Sequence, residues 1–500
     1  MEPLGFIIVS NHMNRILSTL VGTVFVSMSL TTQTQFARSE KLTITPYRFE
    51  NAKKEMVEAE LGRLKVPENR LKKNGKEIEV AFVRFKSTSP NPGAPIIYLA
   101  GGPGGSGVDS AKGARYELFM AMRKFGDVIA YEQRGTGMAK PNLGCLNSLD
   151  LPLDKPLTRD ALAARAIDRV QGCAEFWAKQ GVDVSAYNTN ESADDIDDLR
   201  KALGIKKIRL WGISYGTHLG MATIRRHGIG VESAVLAGVE GMDDTLKLPA
   251  NTDALLGELN RRAKSDPKVS KKVPDLLTLI KSVLGNLETK PATIEVTDPR
   301  TKKKVSMVIG KFDLQYIVGA ASGNNEAQSA FPKMFYEMSK GNYSSLGSYL
   351  YGIRKQRTPS IMTVAMDCSS GATAERKKLI AKQARTALLG DAINAPFPDI
   401  CKAIGSPDLG DHFKRPVKSD VPVLFVSGTL DGRTPVSNAA AAARGFENYS
   451  HLIIDGAGHS DPLFLSSPKI AETMSAFFQG KKLPEVINIE MDRPFEFVSL

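Results

Sequence analysis

The sequence predicts an α/β fold in which a mostly parallel central sheet carries helices on both faces. Short apolar runs typical of buried strands recur along the chain, at residues 96–100, 128–132, 207–211, 233–237 and 421–428. Helical patterns lie between several of these runs, and such alternation is typical of parallel strands joined by helices. At 500 residues the chain is long enough for one large core and an insertion into it.

The N-terminal segment has the pattern of a secretory signal. Arg15 precedes a short apolar stretch at residues 16–30, and a polar segment follows. We therefore expect a signal peptide over residues 1–37, cleaved near Ala37, with an uncleaved anchor as the alternative. Met13 is an alternative start. The mature protein is expected to be periplasmic or secreted and to make no contact with a membrane.

Composition argues against a nucleic-acid partner. The net charge is +12, but the basic residues are spread along the chain. We expect the densest basic runs, at residues 70–73 and 302–304, to lie on solvated faces, because no aromatic residues interleave with them. Hydrophobic residues make up 42% of the chain and charged residues 24%, as in an ordinary globular protein. The sequence leaves the oligomeric state open.

The first part of the core is predicted at residues 41–239. Residues 77–84 alternate polar and apolar side chains, which is typical of antiparallel strands at the front of a sheet. The strand at 96–100 runs into a loop with five glycines at residues 101–107. Such a loop lets backbone N–H groups approach a developing oxyanion, so we expect the Gly102 N–H to be one oxyanion donor. The alternative, phosphate binding, would need a Lys-Ser/Thr ending that this loop lacks.

A helix is predicted ahead of the strand at 207–211. Ser192 is its expected N-cap, and Gly204 is its expected end. Ile196 and Leu199 mark one apolar face, which we expect to pack on the sheet.

Ser214 is the predicted nucleophile. The strand at 207–211, a G-x-S-x-G pentapeptide at 212–216 and a helical stretch at 217–226 follow one another, and this order makes the motif specific. The glycines let the chain turn sharply, with the serine hydroxyl exposed above the N-terminus of the helix. We expect the Tyr215 N–H to be the second oxyanion donor. An ordinary Gly/Ser turn is the alternative.

A serine nucleophile needs a base, and the base needs an orienting acid. Two strand-like segments, at 421–428 and 452–459, end in turns that carry Asp431 and His459. Catalytic groups collect past the carboxyl ends of strands in open α/β sheets. We therefore predict that His459 is the base and Asp431 the acid, with Asp455 as the alternative acid.

The strand–helix alternation is lost between the two parts of the core. Residues 240–415 are mostly helical in pattern, and sheet-like sequence returns in residues 416–500. An insertion of this kind would form a cap over the active site. The sequence therefore predicts three regions after the leader: two parts of one core and a helical cap between them.

Five segments, in a fixed order, resemble the proline iminopeptidase and tripeptidyl aminopeptidase family. They are Ala-Gly-Gly-Pro-Gly at 100–104, Glu-Gln-Arg-Gly-Thr-Gly at 132–137, Gly-Ile-Ser-Tyr-Gly-Thr at 212–217, Gly-Thr-Leu-Asp-Gly-Arg-Thr-Pro at 428–435 and Gly-Ala-Gly-His at 456–459. The resemblance extends over about residues 66–478. It implies an α/β-hydrolase fold: a mostly parallel central sheet with helices on both faces, and a largely helical cap inserted before the strand that carries the catalytic Asp.

Two positions depart from the family pattern. Ala100 stands where the family has histidine, and Glu132 stands where it has aspartate. Neither is a predicted member of the triad. We expect Glu132 and Arg134 to form a structural ion pair under the site, and Arg433 and Thr434 to brace the loop of the catalytic acid.

The resemblance implies an exported serine aminopeptidase acting on a peptide with a free N-terminus. A buried α-ammonium group needs a carboxylate partner. We expect Glu240 to supply it, with Asp243, Asp244 and Asp367 as alternatives. Two other functions stay open: a carboxylic-ester hydrolase or acyltransferase that takes a small ester, and a non-catalytic binding protein. We expect no cofactor and no metal.

Four cysteines fit an exported chain: Cys145, Cys173, Cys368 and Cys401. They can pair in three ways. The pairs of neighbours need the least chain excursion, and the family resemblance also favours disulfides in these regions. The absence of a C-x-x-C motif from the sequence argues against zinc or thioredoxin-like chemistry.

Overall fold

The computed structural model describes residues 41–500, so the predicted signal peptide lies outside the described residues. The strands are β1 (Leu42–Glu50), β2 (Met56–Pro67), β3 (Glu77–Phe85), β4 (Ile96–Leu99), β5 (Val128–Glu132), β6 (Ile208–Ile213), β7 (Val231–Ala237), β8 (Ala292–Thr297), β9 (Lys304–Ile309), β10 (Val423–Gly428), β11 (Tyr449–Asp455) and β12 (Val486–Glu490). The helices are α1 (Gly107–Lys112), α2 (Tyr116–Met122), α3 (Arg159–Lys179), α4 (Thr189–Ala202), α5 (Tyr215–His227), α6 (Pro249–Ser265), α7 (Pro267–Ser270), α8 (Leu276–Thr289), α9 (Lys311–Ala320), α10 (Asn325–Ser339), α11 (Gly347–Arg354), α12 (Ile361–Ser370), α13 (Ala374–Ala384), α14 (Gly410–Lys414), α15 (Val436–Ala443), α16 (Pro462–Leu465) and α17 (Pro468–Phe478).

Ten strands form one sheet, in the order β1-β2-β3-β5-β4-β6-β7-β10-β11-β12. At one side of the sheet, each neighbouring pair among β1, β2, β3 and β5 is antiparallel. From β5 across to β12 every pair is parallel. The sheet is therefore mostly parallel, as predicted, and β4, β5 and β10 are buried along their whole length because helices cover them.

Helices cover both faces of the sheet, which confirms the predicted fold class. Successive side chains of a strand point to opposite faces, as Leu210 and Trp211 of β6 do. The Leu210 face packs against α3, α4, α5 and α15. The Trp211 face packs against α1, α2, α16 and α17. Trp211 is fully buried, and its ring contacts Phe119 with the centroids 4.8 Å apart.

The segment between β7 and β10 contains the helices α6 to α14. It also contains an antiparallel hairpin of β8 and β9, which the helical pattern did not predict. Much of this segment has its own apolar cluster, with Leu259, Leu284 and Phe335 buried in it. The helix α12 is different, because Ile361 and Met362 join the apolar cluster of the core. We refer to the segment from α6 to α14 as the cap.

The predicted start of α4 at Ser192 is wrong. Asn188 is the N-cap, and its side-chain oxygen accepts a hydrogen bond from the Glu191 N–H at 3.1 Å. Ser192 lies inside the helix and is fully buried. Asn and Ser are both good N-caps. Asn188 is the N-cap because its backbone is extended, as is typical of an N-cap residue.

Two disulfides join the neighbouring cysteines. Cys145 is bonded to Cys173 of α3, and Cys368 of α12 is bonded to Cys401. No cysteine in residues 41–500 is free. The second bond attaches α12 to the segment just before α14. None of the helices described here has both the length and the apolar character needed to cross a membrane.

Candidate active site

The turn around Ser214 requires its two glycines. A Cβ atom at Gly216 would lie 2.0 Å from the Leu99 carbonyl oxygen, and one at Gly212 would lie 2.6 Å from the Gly216 carbonyl oxygen. Neither contact is possible for a real side chain, so glycine is needed at both positions. The turn therefore packs directly against the end of β4.

Ser214 has a strained backbone at the apex of this turn. Its φ is +55° and its ψ is −127°, a conformation that is unfavourable for a residue with a side chain. Hydrogen bonds hold it there: its N–H donates to the Ala237 carbonyl at 3.0 Å, and its carbonyl accepts from the Thr217 hydroxyl at 2.7 Å. The serine side chain is half-buried at the N-terminus of α5.

Asp431 and His459 are in direct contact. The Asp431 Oδ2 atom lies 2.7 Å from His459 Nδ1, and the carboxylate is buried. The Thr434 hydroxyl donates to the same oxygen at 2.6 Å, and the Arg433 N–H donates to Oδ1 at 2.9 Å. Burial alone would raise the pKa of Asp431, but the His459 charge and these hydrogen bonds lower it below its usual value. The carboxylate is therefore ionised and orients the imidazole.

Ser214 and His459 contact adjacent residues at the end of β7. The Ser214 N–H binds the Ala237 carbonyl, and a Cβ atom at the next residue, Gly238, would lie 3.0 Å from His459 Nδ1. Within residues 41–500 no hydrogen bond joins Ser214 Oγ to the His459 ring. In ligand-free enzymes this bond is often long and tightens when substrate binds.

The alternative acid, Asp455, lies elsewhere. Its carboxylate accepts a hydrogen bond from the Thr429 hydroxyl at 2.9 Å and pairs with Arg262 at 2.7 Å. Its contacts are those of a turn residue on the surface. Asp431 is the carboxylate that the fold brings to His459.

The two predicted oxyanion donors are available. In the described chain neither the Gly102 N–H nor the Tyr215 N–H donates to a protein acceptor. A Cβ atom at Gly101 would lie 3.5 Å from Ser214 Oγ, so the glycine-rich loop runs directly beside the serine. The cap holds this loop, since the Thr363 hydroxyl of α12 donates to the Pro103 carbonyl at 2.8 Å.

The predicted ion pair between Glu132 and Arg134 is wrong. Arg134 is buried and binds Asp195 through two hydrogen bonds, of 2.7 and 2.8 Å. Glu132 turns the other way and accepts a hydrogen bond from the Ser106 hydroxyl at 2.5 Å. Burial raises the pKa of Glu132 to about 7, and the Asp109 charge adds to the rise. Glu132 therefore supports the glycine-rich loop, while Arg134 belongs to a separate buried ion cluster.

The turn between α9 and α10 of the cap binds the loops of both Asp431 and His459, which the sequence did not predict. The Ser322 carbonyl accepts a hydrogen bond from the Gly432 N–H at 2.8 Å, next to Asp431. The Gly323 carbonyl accepts one from the His459 N–H at 2.7 Å. These bonds are made by backbone atoms, which leave no mark in the sequence.

Two amide side chains of α10 extend these contacts. The Asn325 side chain bridges the glycine turn, accepting from the Gly458 N–H at 2.6 Å and donating to the Gly456 carbonyl at 2.8 Å. The buried Gln328 amide donates to the Leu430 carbonyl at 3.0 Å. The cap thus fixes the position of the loops that carry Asp431 and His459.

The acidic residues between β7 and the cap have partners. Glu240 is buried and forms an ion pair with Lys247, with Oε2 and Nζ 2.6 Å apart. Asp243 accepts hydrogen bonds from Thr373. Asp244 pairs with Arg376 at 2.8 Å. Glu240 therefore already has a cationic partner.

Asp367 differs from these carboxylates. Among the described residues its side chain makes no hydrogen bond and no ion pair. It lies on α12 next to Met366, whose sulfur accepts a hydrogen bond from the Tyr215 hydroxyl at 3.2 Å. Burial raises the pKa of Asp367 well above its usual value, and nearby Glu240 adds to the rise. A cation bound between them would reverse this shift.

Residues 41–500 contain no group of three or more His, Cys, Asp or Glu side chains arranged to hold a metal ion.

The chain matches the family model described as alpha/beta hydrolase fold over residues 94–464. The protein belongs to this family and has the α/β-hydrolase fold. Two of the relatives described here carry peptidase names. It is 26% identical to the serine protease Hip1 of Mycobacterium tuberculosis (strain CDC 1551 / Oshkosh) over 227 residues, which cover 44% of this chain and 42% of that protein.

Two other relatives match shorter segments. The chain is 33% identical to the tripeptidyl aminopeptidase of Streptomyces coelicolor over 172 residues, which cover 32% of this chain and 31% of that protein. It is 25% identical to the putative hydrolase YuaR of Escherichia coli (strain K12) over 168 residues, which cover 33% and 32% of the two chains. Each match spans less than half the length of the relative.

Proposed function

We propose that the protein is an exported serine aminopeptidase that removes residues or short peptides from free N-termini through an acyl-enzyme on Ser214. The observation that carries the proposal is the unpaired Asp367 carboxylate, which lies on the helix that contacts Tyr215 of the nucleophile turn. The peptidase names of the relatives support it. The two disulfides support export, because such bonds persist in oxidising compartments.

In the proposed reaction His459 accepts the proton of Ser214 Oγ as that oxygen attacks the scissile carbonyl. Asp431 stabilises the imidazolium that forms. The N–H groups of Gly102 and Tyr215 bind the oxyanion of the tetrahedral intermediate. His459 then donates its proton to the leaving amine, and a water molecule, activated by the same imidazole, hydrolyses the acyl-enzyme.

The substrate ammonium is proposed to bind at Asp367. Two carboxylates, Asp367 and Glu240, lie near one ammonium group, that of Lys247. The Arg433 charge also lowers the pKa of Asp367. In the described chain neither Lys247 nor Arg433 makes a hydrogen bond or an ion pair with the Asp367 carboxylate, so a substrate α-ammonium group would supply the direct partner that it lacks. Glu240, the residue favoured from sequence, would then act through its charge and not through a direct hydrogen bond.

The test is a panel of substrates on the purified protein. Aminoacyl- and tripeptidyl-arylamides with free amines are compared with short-chain aryl esters, and a Ser214→Ala variant provides the blank. We expect hydrolysis of at least one class of free-amine arylamide. The rate of this hydrolysis should be lower by about 10³-fold or more in the variant. Turnover of esters alone would favour the ester hydrolase or acyltransferase alternative.

A further inference from the structure

The Arg433 side chain lies near His459 and has no partner among the described residues. Its backbone N–H binds Asp431, but within residues 41–500 its side chain makes no hydrogen bond and no ion pair. Other arginines of the described chain differ. Arg115 binds Ser460 and Asp461, and Arg376 binds Asp244. A half-buried arginine left unpaired beside catalytic groups is a site for an anionic group.

The Arg433 side chain runs alongside His459. A Cβ atom at Gly323 would lie 2.5 Å from His459 Cβ and 3.3 Å from Arg433 Cδ. Gly323 belongs to the cap turn between α9 and α10. Arg433 therefore lies beside both His459 and the cap turn that contacts it.

The position beside the base determines which part of a substrate Arg433 would meet. His459 must reach the leaving amine to donate a proton to it, so the leaving part of the substrate lies on the His459 side. Asp367 lies on α12, whose Met366 contacts Tyr215 of the nucleophile turn. The Arg433 charge lowers the pKa of the Asp367 carboxyl. The site thus offers Asp367 for a substrate cation, and Arg433, beside the proposed base, for a substrate anion.

We propose that Arg433 binds a carboxylate on the leaving side of the scissile bond, so that the enzyme favours substrates with an anionic leaving part. This inference rests on the proposed aminopeptidase function and specifies its substrate class. The guanidinium is planar and can donate two parallel hydrogen bonds to one carboxylate. The carboxylate has two possible sources: the C-terminal α-carboxylate of a short peptide, and an Asp or Glu side chain just after the scissile bond.

Four matched peptides distinguish these sources. Each carries the same acyl part, the one that the arylamide panel identifies as preferred, followed by one leaving residue: Ala, Ala-amide, Glu-amide or Gln-amide. The Ala and Ala-amide pair tests the α-carboxylate. The Glu-amide and Gln-amide pair tests the side chain. For each pair the measurement is the ratio of kcat/KM for the charged peptide to that for the neutral one.

The variants are Arg433→Gln, Arg433→Lys and a matched control, Arg444→Gln. Arg444 is exposed at the end of α15, so its substitution removes the same charge away from the catalytic groups. We expect a ratio of about 10 or more in the native protein for at least one pair, because a charged hydrogen-bonded pair has that strength. Arg433→Gln should bring this ratio close to 1, Arg433→Lys should restore part of it, and Arg444→Gln should leave it unchanged.

Two results would overturn the proposal: ratios near 1 for both pairs in the native protein, or a ratio that survives Arg433→Gln. Equal losses on charged and neutral peptides in Arg433→Gln would also count against it, because they indicate that the arginine only positions its neighbours. Hydrolysis of the neutral peptides with no charge preference rejects this inference alone. The absence of any peptide hydrolysis would instead reject the proposed function.

Discussion

Lys247 holds its ammonium nitrogen 2.6 Å from the Glu240 carboxylate in a buried ion pair. Both side chains are less than a tenth exposed. Removing one partner of such a pair leaves an uncompensated buried charge and destabilises a protein by roughly 3–5 kcal/mol. The pair therefore has a structural role that Asp367, which has no partner, does not share.

The first prediction separates these two carboxylates. Asp367→Asn should lower kcat/KM for a free-amine peptide by about 10²-fold and change the free energy of unfolding little. Glu240→Gln should destabilise the fold, because Lys247 loses its partner. The double variant Glu240→Gln/Lys247→Met should recover most of that stability. Urea unfolding and peptide kinetics on the same variants measure both effects. Full activity of Asp367→Asn on free-amine peptides would show that the ammonium binds elsewhere.

The second prediction concerns Glu132 and pH. Burial raises the pKa of Glu132 from 4.5 to about 7 in the native state. Between these values the unfolded state has lost the proton and the native state has kept it, so the contribution of Glu132 to stability falls as pH rises from about 4.5 to 7. The loss should reach roughly 3 kcal/mol.

Glu132→Gln isolates this effect because the amide does not titrate. We expect the native protein to become less stable relative to the variant as pH rises through this window, as measured by urea unfolding at each pH. Other titrating groups cancel in the comparison, including buried His451, whose pKa is lowered to about 4. A difference that does not change with pH would contradict the assignment.

The third prediction tests the cap as a support for the catalytic loops. Asn325→Ala removes both hydrogen bonds to the glycine turn before His459. We expect kcat to fall by about 10-fold with little change in KM, since the base is displaced while the substrate contacts remain.

Asn325→Asp should restore part of the rate, because it keeps the acceptor for the Gly458 N–H. Asn251→Ala is the matched control: this half-buried asparagine of α6 makes no side-chain hydrogen bond within the described residues. If Asn325→Ala changes only thermal stability, its role is structural and not positional.

The fourth prediction concerns export. Protein taken from the native compartment should begin between about residues 29 and 41 and contain no free thiol among its four cysteines. Reducing either disulfide should lower the free energy of unfolding by about 2–4 kcal/mol. N-terminal sequencing and mass mapping under non-reducing conditions test both points. Four free thiols in such material would reject export to an oxidising compartment.

The features that sequence could predict depend on short-range geometry. The turn at Ser214 needs glycine at residues 212 and 216. A side chain at Gly212 would meet the turn itself, and one at Gly216 would meet the end of the adjacent strand β4. The pairing of Asp431 with His459 could be predicted because the two residues lie just past the ends of the adjacent strands β10 and β11. Chain order and strand ends were sufficient for these predictions.

The features that sequence missed depend on distant contacts. Arg134 was expected to pair with Glu132, two residues away, but its partner Asp195 is 61 residues further along the chain. The cap turn binds His459 through the Gly323 carbonyl. Every residue type has a backbone carbonyl, so the sequence does not indicate this contact. The partner of Glu240 is an exception, because Lys247 is only seven residues away. The two residues lie in a segment without helix or strand, where sequence spacing does not predict which side chains meet.

The most direct test of the central claim is one ratio. kcat/KM is measured on the native protein for a free-amine peptide and for the same peptide acetylated at its N-terminus, with Ser214→Ala as the blank for both. Acetylation removes the ammonium charge and leaves the cleft carboxylate without its partner. We expect kcat/KM for the acetylated peptide to be lower by about 10²-fold or more. Equal cleavage of the two peptides by the native protein would contradict the aminopeptidase assignment.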